Sequence, residues 1–206
     1  MDIQVVTPAD EEPVSVREAF VHLRIEADTQ AEIQAHPDYS SVGRMITTAR
    51  QWVEDYCRRS LAYQTLRLVL PPPRAGAYRA SMFSNRAWPK IELYRPPLVA
   101  VEAVRYYDDS NVLTTLDEDD YFVVQGTVPT LGFATDYDFP SVYLRQDAIQ
   151  VDYTAGFLDA DDVPEVYRDA ILLGVQLSYD SLTPGDRTAL ENARENLLST
   201  LRVMRF

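Results

Sequence analysis

The sequence has few of the residues on which most enzyme and metal chemistry depends. Among 206 residues there is one cysteine, Cys57, and there are two histidines, His22 and His36. A single cysteine excludes an internal disulfide and a cysteine-based metal cluster, and it is typical of a chain assembled in a reducing cytoplasm. Neither histidine has a second histidine or a cysteine at the i+3 or i+4 spacing of a helical ligand pair. We therefore expect both to be packed or solvated, with no metal and no cofactor.

Glycine is also scarce, with seven residues, and the glycine-rich phosphate-binding and nucleophile-elbow motifs are absent. Cys57 falls on the apolar stripe of a predicted helix, where a small buried side chain fits. The neighbouring Arg58 and Arg59 leave a reactive thiolate as the alternative. The sequence thus argues against an enzyme, and a carboxylate-dependent hydrolase or metal protein is the weakest functional hypothesis.

Positive charge and long apolar runs are in short supply as well. The formal charge is −13 and the isoelectric point is about 4.5, so the chain has no general attraction for DNA phosphates. An acidic wall could still line a passage through which DNA moves without sticking, and the alternative is that the charge serves solubility alone.

No apolar run approaches the roughly 20 residues of a membrane span, and the first residues do not resemble a secretory signal. We expect no membrane partner.

Hydrophobic residues make up 46% of the chain, and their spacing predicts helices towards both ends. Ser15 and Glu18 have the spacing of a capping box at the start of the first helix. Residues 38–61 contain the clearest amphipathic stripe, with Arg50 and Glu54 placed largely off it. The helical period returns at Pro164, and Thr183 is the expected N-cap of a last helix that continues to residue 205.

Alternating β-branched and aromatic residues fill the middle of the chain. They predict strands from residue 62 onwards, including segments near 141–145 and 149–154. Runs of helices around a run of strands indicate an α+β fold. We predict one domain over residues 1–206, with a small core of about four helices (14–61 and 163–182), an antiparallel β insertion with long loops (62–156) and a C-terminal helix (184–205).

Four aspartates crowd into the first part of the segment 151–170, namely Asp152, Asp159, Asp161 and Asp162. A calcium loop of EF-hand type needs a glycine at its sixth position and a glutamate at its twelfth. Counted from Asp159, those positions hold Pro164 and Ala170, so the pattern fails. We interpret the segment as a strand exit at Gly156, followed by a helix whose N-terminus Asp161 and Asp162 cap.

Four segments, taken in order, carry a family resemblance. They are "PVSVREAFVHLRI", "ARQWVEDYCRRSL", "IELYRPPLVAVEAVRYYD" and "VDYTAGFLDADDVPEVYRDAILLGV". The ordered set resembles the head–tail connector (adaptor) proteins of long-tailed phages and gene-transfer-agent particles. The likeness covers most of the chain, except for the loops 71–89 and 126–142. Two departures are Phe20, where the family pattern leads us to expect a polar residue, and the long basic loop 71–89.

The resemblance implies a structural protein of the particle's head–tail junction, assembled in the host cytoplasm. Its copies would form a ring, usually a dodecamer, below the portal protein and would extend the channel through which DNA passes without specific binding. The ring would also meet the next tail component, a stopper or tail terminator. The C-terminal segment would reach the portal, which makes five residues portal-interface candidates: Leu190, Leu197, Leu201, Met204 and Phe206. Those residues could equally belong to the domain's own core.

Aromatic and basic side chains in the two unmatched loops are candidates for contacts with neighbouring subunits or the tail. They are Tyr78, Arg79, Phe83, Arg86, Trp88, Tyr137 and Phe139. The basic loop 71–89 is either a solvated flap or an arm that pairs with the acidic segment 117–120, or with the one at 136–139, of a neighbour. A binding module for another tail-completion or regulatory protein is the second functional hypothesis.

Overall fold

Helices and strands segregate into two units of the chain in the computed structural model, which describes residues 2–72, 90–133 and 140–203. The β unit comprises residues 1–8 and 64–156, and the helical unit comprises residues 9–63 and 157–206. The predicted α+β class, with a β insertion between helical segments, is confirmed. The expectation of a single domain stays a prediction.

The helical unit contains five α-helices within the described residues. They are α1 (Val16–Leu23), α2 (Gln30–Ala35), α3 (Tyr39–Cys57), α4 (Glu165–Tyr179) and α5 (Pro184–Leu198). The predicted capping box of α1 is confirmed: the Ser15 hydroxyl accepts from the Glu18 backbone N–H at 3.2 Å, and the Glu18 carboxylate accepts from the Ser15 N–H at 2.7 Å. Thr29 and Glu32 make the same reciprocal pair at the start of α2. The sequence contains that T-x-x-E signal, but we did not predict a helix there.

One apolar core holds the helical unit together. Its fully buried members include Phe20, Val42, Ile46, Val53 and Ile171. Helices α3 and α4 approach closely at Ala49 and Gly174, where a Cβ added to the glycine would lie 2.8 Å from the alanine Cβ. The predicted stripe of α3 is confirmed, but the exclusion of Arg50 and Glu54 from it is wrong, since they are 6% and 1% exposed. They enter the interior because each neutralises the other.

The β unit contains eight strands within the described residues. They are β1 (Asp2–Thr7), β2 (Gln64–Leu70), β3 (Lys90–Glu92), β4 (Leu98–Tyr107), β5 (Leu113–Thr115), β6 (Tyr121–Val124), β7 (Thr130–Phe133) and β8 (Ile149–Ala155). The order β1-β2-β8-β4-β5 forms a five-stranded sheet, and β3-β7-β6 forms a three-stranded one. All of these pairings are antiparallel.

Two strand predictions differ from the structure. Strand β1 was not foreseen, because its short polar-apolar segment gains its partner only by pairing with β2, more than 60 residues away. The strand expected near 141–145 is absent, since these residues form bends and open chain. Arg145 is held there by its own neighbour: the guanidinium donates to the Asp147 carboxylate at 2.6 and 2.7 Å.

The acid-rich segment after β8 is a turn, although its details differ from the prediction. Gly156 has φ 112°, a left-handed conformation that favours glycine and lets the strand end abruptly. Asp161 and Asp162 do not cap α4; they belong to a separate 3-10 turn over Ala160–Asp162. The N-cap of α4 is Pro164, with no side-chain cap. Asp152 is a separate case, because it points into an ion cluster of the β unit.

The last helix begins as predicted, with the Thr183 hydroxyl accepting from the Asp186 backbone N–H at 3.2 Å and Pro184 at the first position. It ends at Leu198 and not at residue 205. Residues 199–203 continue as turns and extended chain. The Val203 N–H donates to the Cys57 carbonyl at 3.0 Å and so attaches the C-terminal segment to the end of α3.

Candidate functional site

The two histidines make structural contacts. His22 Nε2 lies 3.3 Å from the Gln176 side-chain oxygen. His36 Nδ1 accepts from the Asp38 backbone N–H at 3.1 Å, and its ring meets Phe20 edge-on with centroids 5.1 Å apart. Over residues 2–72, 90–133 and 140–203, no three histidine, cysteine or acidic side chains are grouped to hold a metal ion.

Cys57 is fully buried at the end of α3. Burial raises the pKa of its thiol to about 11, against a smaller opposing effect of Arg59 and Arg202. A thiol in this state is protonated at neutral pH and is a poor nucleophile. The position therefore suits a small core residue better than a catalytic one.

The C-terminal helix packs through a narrower face than its sequence suggests. Leu198 is fully buried, whereas Leu197 is 39% exposed. Leu190 is half-buried, and Leu201 packs against the helical core. The stripe we predicted through Leu190, Leu197 and Leu201 thus mixes core and surface positions. Met204 and Phe206, the other two portal-interface candidates, lie outside the described residues.

Two stacked aromatic side chains of α3 are covered by one arginine from α5 and one from the chain that follows it. The Arg194 guanidinium lies 3.5 Å above the centre of the Trp52 ring, and Trp52 stacks on Tyr56 with centroids 5.1 Å apart. Arg202 covers Tyr56 at 5.5 Å. Burial lowers the pKa of Arg194, and its Nε has no hydrogen-bond partner among the described residues. This stack and Leu198 attach the helix, which leaves the Leu197 side of α5 exposed.

A buried ion network ties the start of the helical unit to α3. Arg50 donates from Nε to Glu12 at 2.7 Å and from a terminal nitrogen to Glu54 at 2.7 Å. The other Glu54 oxygen accepts from the Leu61 backbone N–H at 2.7 Å. Thr47 adds a hydrogen bond to Glu12 at 2.8 Å. These interactions hold the segment at Glu12, helix α3 and the chain at Leu61 together at one point.

The β unit has an ion cluster of its own, centred on Asp152 in β8. Arg67 from β2 and Arg105 from β4 each donate to this carboxylate at 2.6 Å. Burial alone would raise the pKa of Asp152, but the hydrogen bonds and charges of the two arginines outweigh it and lower the pKa. The cluster links three neighbouring strands of the five-stranded sheet. This acid of the 151–170 segment therefore acts in the structure and not on a ligand.

The helical unit also contains a cavity of about 220 Å³ beside the acid-rich turn. Buried Leu61, Ala62 and Val163 contribute its apolar lining. Exposed carboxylates of Asp10, Glu11 and Asp159 also line it. We call this feature the acidic cavity. Sequence reasoning missed it because its residues come from three separate segments that only the fold brings together.

The candidates predicted in the two unmatched loops are Tyr78, Arg79, Phe83, Arg86, Trp88, Tyr137 and Phe139. All lie outside the described residues, so their role as interface residues stays a prediction. Within the described part of the chain, no helix is both long and apolar enough to cross a membrane.

Comparisons with known proteins give matches among solved structures alone. No family model matches the sequence, and no curated protein does. A chain in the neck of an empty gene transfer agent (GTA) particle, computed with C6 symmetry, aligns with a TM-score of 0.74 and 18% identity. The alignment covers 100% of this chain and 97% of the neck chain.

Two further solved structures align over the same extents. One is a chain of the virion of a native GTA particle, with a TM-score of 0.68 and 20% identity. The other comes from the neck of a native GTA particle computed with C12 symmetry, with a TM-score of 0.65 and 18% identity. This chain has the fold of a GTA neck chain. The resemblance to connector proteins of such particles, predicted from four sequence segments, is confirmed at the level of the fold.

Proposed function

We propose that this protein is a structural component of the neck of a phage-like or GTA particle, where it acts as a head–tail adaptor. Copies form a ring below the portal, extend the DNA channel and join the capsid to the tail. The observation that carries the proposal is the full-length fold match to chains in GTA necks computed with C6 and C12 symmetry. Such closed symmetry places many copies of a chain in equivalent contacts around one axis.

The chemistry of the chain is compatible with this role. The histidines and the cysteine are engaged in packing or local contacts. An adaptor needs surfaces for assembly and requires no catalytic group. A net charge of −13 disfavours adhesion of DNA to a channel wall. The next tail component would dock on the ring, on the side away from the portal.

Electron micrographs of the purified protein mixed with portal test the ring directly. We expect rings attached to the portal, and a chain that stays monomeric and does not bind portal would contradict the proposal. Binding to a different tail or regulatory protein without ring formation would favour the alternative of a separate binding module.

The α5 surface offers a sharper test of portal docking than a long truncation. Deleting residues 190–206 would remove the buried Leu198 and Val203, so a loss of attachment could reflect unfolding. The substitution Leu197→Asp changes an exposed position of the same helix. We expect it to abolish the joining of portal-bearing heads to tails while leaving the circular dichroism spectrum and melting temperature unchanged.

The matched control is Val21→Asp, which places the same charge on an exposed residue of α1 in the helical unit; Val21 is 73% exposed. This variant should join heads and tails normally. Equal joining by both variants would refute docking through α5. Removing residues 204–206 alone should also reduce attachment if the terminal residues reach the portal.

A further inference from the structure

We propose that the acidic cavity of the helical unit is the docking site for residues 73–89 of a second copy of this chain. The inference deepens the proposed ring, on which it rests, by naming one contact between its subunits. It concerns an interaction surface and a partner segment of defined chemistry.

The cavity has the two parts that a peptide-binding site needs, an apolar interior and accessible surroundings. Leu61, Ala62 and Val163 form its closed floor and are at most 4% exposed, so an inserted apolar group would meet chiefly the exposed side chains around that floor. Leu158 and Tyr63 also line the cavity and are 66% and 43% exposed. Exposed apolar side chains grouped around a cavity are typical of an interaction surface.

The charges around the cavity are all negative and are not neutralised within the described residues. The carboxylates of Asp10, Glu11 and Asp159 form no ion pair or hydrogen bond over residues 2–72, 90–133 and 140–203. The half-buried Glu18 of the same unit, by contrast, is paired with Arg168. A partner that brings arginines would gain the pairing that these three carboxylates lack.

Residues 73–89 have the complementary composition. The segment "PRAGAYRASMFSNRAWP" carries three arginines and no acidic residue, in a chain whose net charge is −13. It also carries Tyr78, Phe83 and Trp88, the type of side chain that most often anchors an interface. A connection of seventeen residues that is anchored at both ends by β2 and β3 reaches at most about 30 Å from its base, so an adjacent subunit is the copy that it can contact.

The acidic segment 117–120, which the sequence offered as a partner for the same arginines, fits less well. Its residues Glu118–Asp120 form a 3-10 helix with no buried member. That surface supplies charge without an apolar interior for an aromatic anchor. The acidic cavity supplies both.

Binding of a fluorescent peptide of residues 71–90 to the full-length protein tests the site by anisotropy. We expect saturable binding that weakens with salt, as for exposed ion pairs. The triple variant Asp10→Asn, Glu11→Gln, Asp159→Asn should weaken it about tenfold. The matched control Asp117→Asn, Glu118→Gln, Asp119→Asn removes the same charge elsewhere and should change the affinity less than twofold. No binding, or equal weakening by the two triple variants, overturns the proposal.

Disulfide trapping tests whether the contact joins two copies. One chain carries Leu158→Cys and another carries Phe83→Cys, and the native Cys57 does not interfere because it is buried. We expect a cross-linked dimer when the two chains are mixed and oxidised, and none when Val21→Cys replaces Leu158→Cys. Failure of the dimer to form, or equal trapping by the control, counts against a contact between copies.

The two levels of the proposal separate in these experiments. Rings on the portal without peptide binding or disulfide trapping would refute the docking site and would leave the proposed adaptor function standing. Peptide binding and trapping without rings on the portal would support the docking site and refute the adaptor function.

Discussion

The two units of this chain use the same ion-pair chemistry in different surroundings. In the helical unit the Arg50 side chain is 7% exposed and that of Glu54 is 2% exposed. In the β unit Arg67 and Arg105 are about 30% exposed around Asp152. A buried charge that loses its partner is costly, whereas water compensates a half-exposed one. The difference indicates that the helical unit depends on its ion network more strongly than the β unit depends on its own.

Breaking the buried network should have the largest effect. The substitution Arg50→Met keeps most of the side-chain volume but leaves Glu12 and Glu54 without their cation. We expect the free energy of unfolding to fall by about 3 kcal/mol, measured by urea denaturation. The control Arg44→Met lies on the exposed side of the same helix and should change stability by less than about 0.5 kcal/mol. A similar small loss for both would show that the network contributes little.

The packing face of α5 gives the next effect in size. Leu198→Ala should lower the free energy of unfolding by about 2–3 kcal/mol, because the side chain is fully buried and leaves a cavity. Leu197→Ala, one residue away, should change it by less than about 0.5 kcal/mol. Thermal melts of the two variants make the comparison, and equal losses would mean that both leucines belong to the core.

The Asp152 cluster should contribute less than the Arg50 network. Asp152→Asn replaces an acceptor of three charged hydrogen bonds from two arginines and should cost about 2 kcal/mol at pH 7. Because folding lowers the pKa of Asp152, its ionised form stabilises the protein above the ordinary aspartate pKa. That contribution disappears as the pH falls through the lowered value.

Unfolding titrations between pH 7 and pH 2 check the sign. The wild type should lose stability towards acid more steeply than Asp152→Asn, so that the two curves converge at the lowest pH. Parallel curves would show that Asp152 does not carry the pH dependence. Arg145→Gln removes the cation that lowers the pKa of Asp147 in a more exposed ion pair of the same unit, so it should flatten the acid slope less than Asp152→Asn does.

The rate at which a thiol reagent labels Cys57 reports the opening of the helical unit alone, so it distinguishes effects on that unit from effects on the β unit. The thiol is buried, and burial raises its pKa, so a thiol reagent at pH 8 should react only when the helical unit opens. Arg50→Met should speed the labelling, whereas Asp152→Asn should leave the rate unchanged if the units open independently. Rapid labelling of the native protein would contradict the packing described for α3.

The elements whose signals are local in the chain were predictable. The S-x-x-E box before α1, the apolar stripe of α3 and the Thr183-Pro184 start of α5 each depend on residues within four positions of one another. The 3.6-residue period also placed α5 on the core, but it selected Leu197 where the structure buries Leu198. The apolar stripe of α5 is imperfect and does not distinguish two adjacent leucines. Packing against α3 and α4 therefore decided which of them is buried.

Features that need distant partners were not predictable. Strand β1 exists because it pairs with β2, and the burial of Arg50 requires the carboxylates of both Glu12 and Glu54. The acidic cavity combines segments near residues 10, 62 and 159. Sequence spacing reports neighbours along the chain, and each of these features depends on contacts that only the closed fold provides.

The sequence alone determined the α+β order, the N-terminal caps of α1 and α5 and the strand exit at Gly156, because local geometry is a property of adjacent residues. The tertiary structure decided where the four aspartates of residues 151–162 act. Asp152 joins two arginines across a sheet, Asp159 lines a cavity, and Asp161 and Asp162 occupy a turn of their own. The sequence shows which residues carry charge. The role of each charge depends on which groups the fold brings within hydrogen-bonding distance of it and on how much water remains around it.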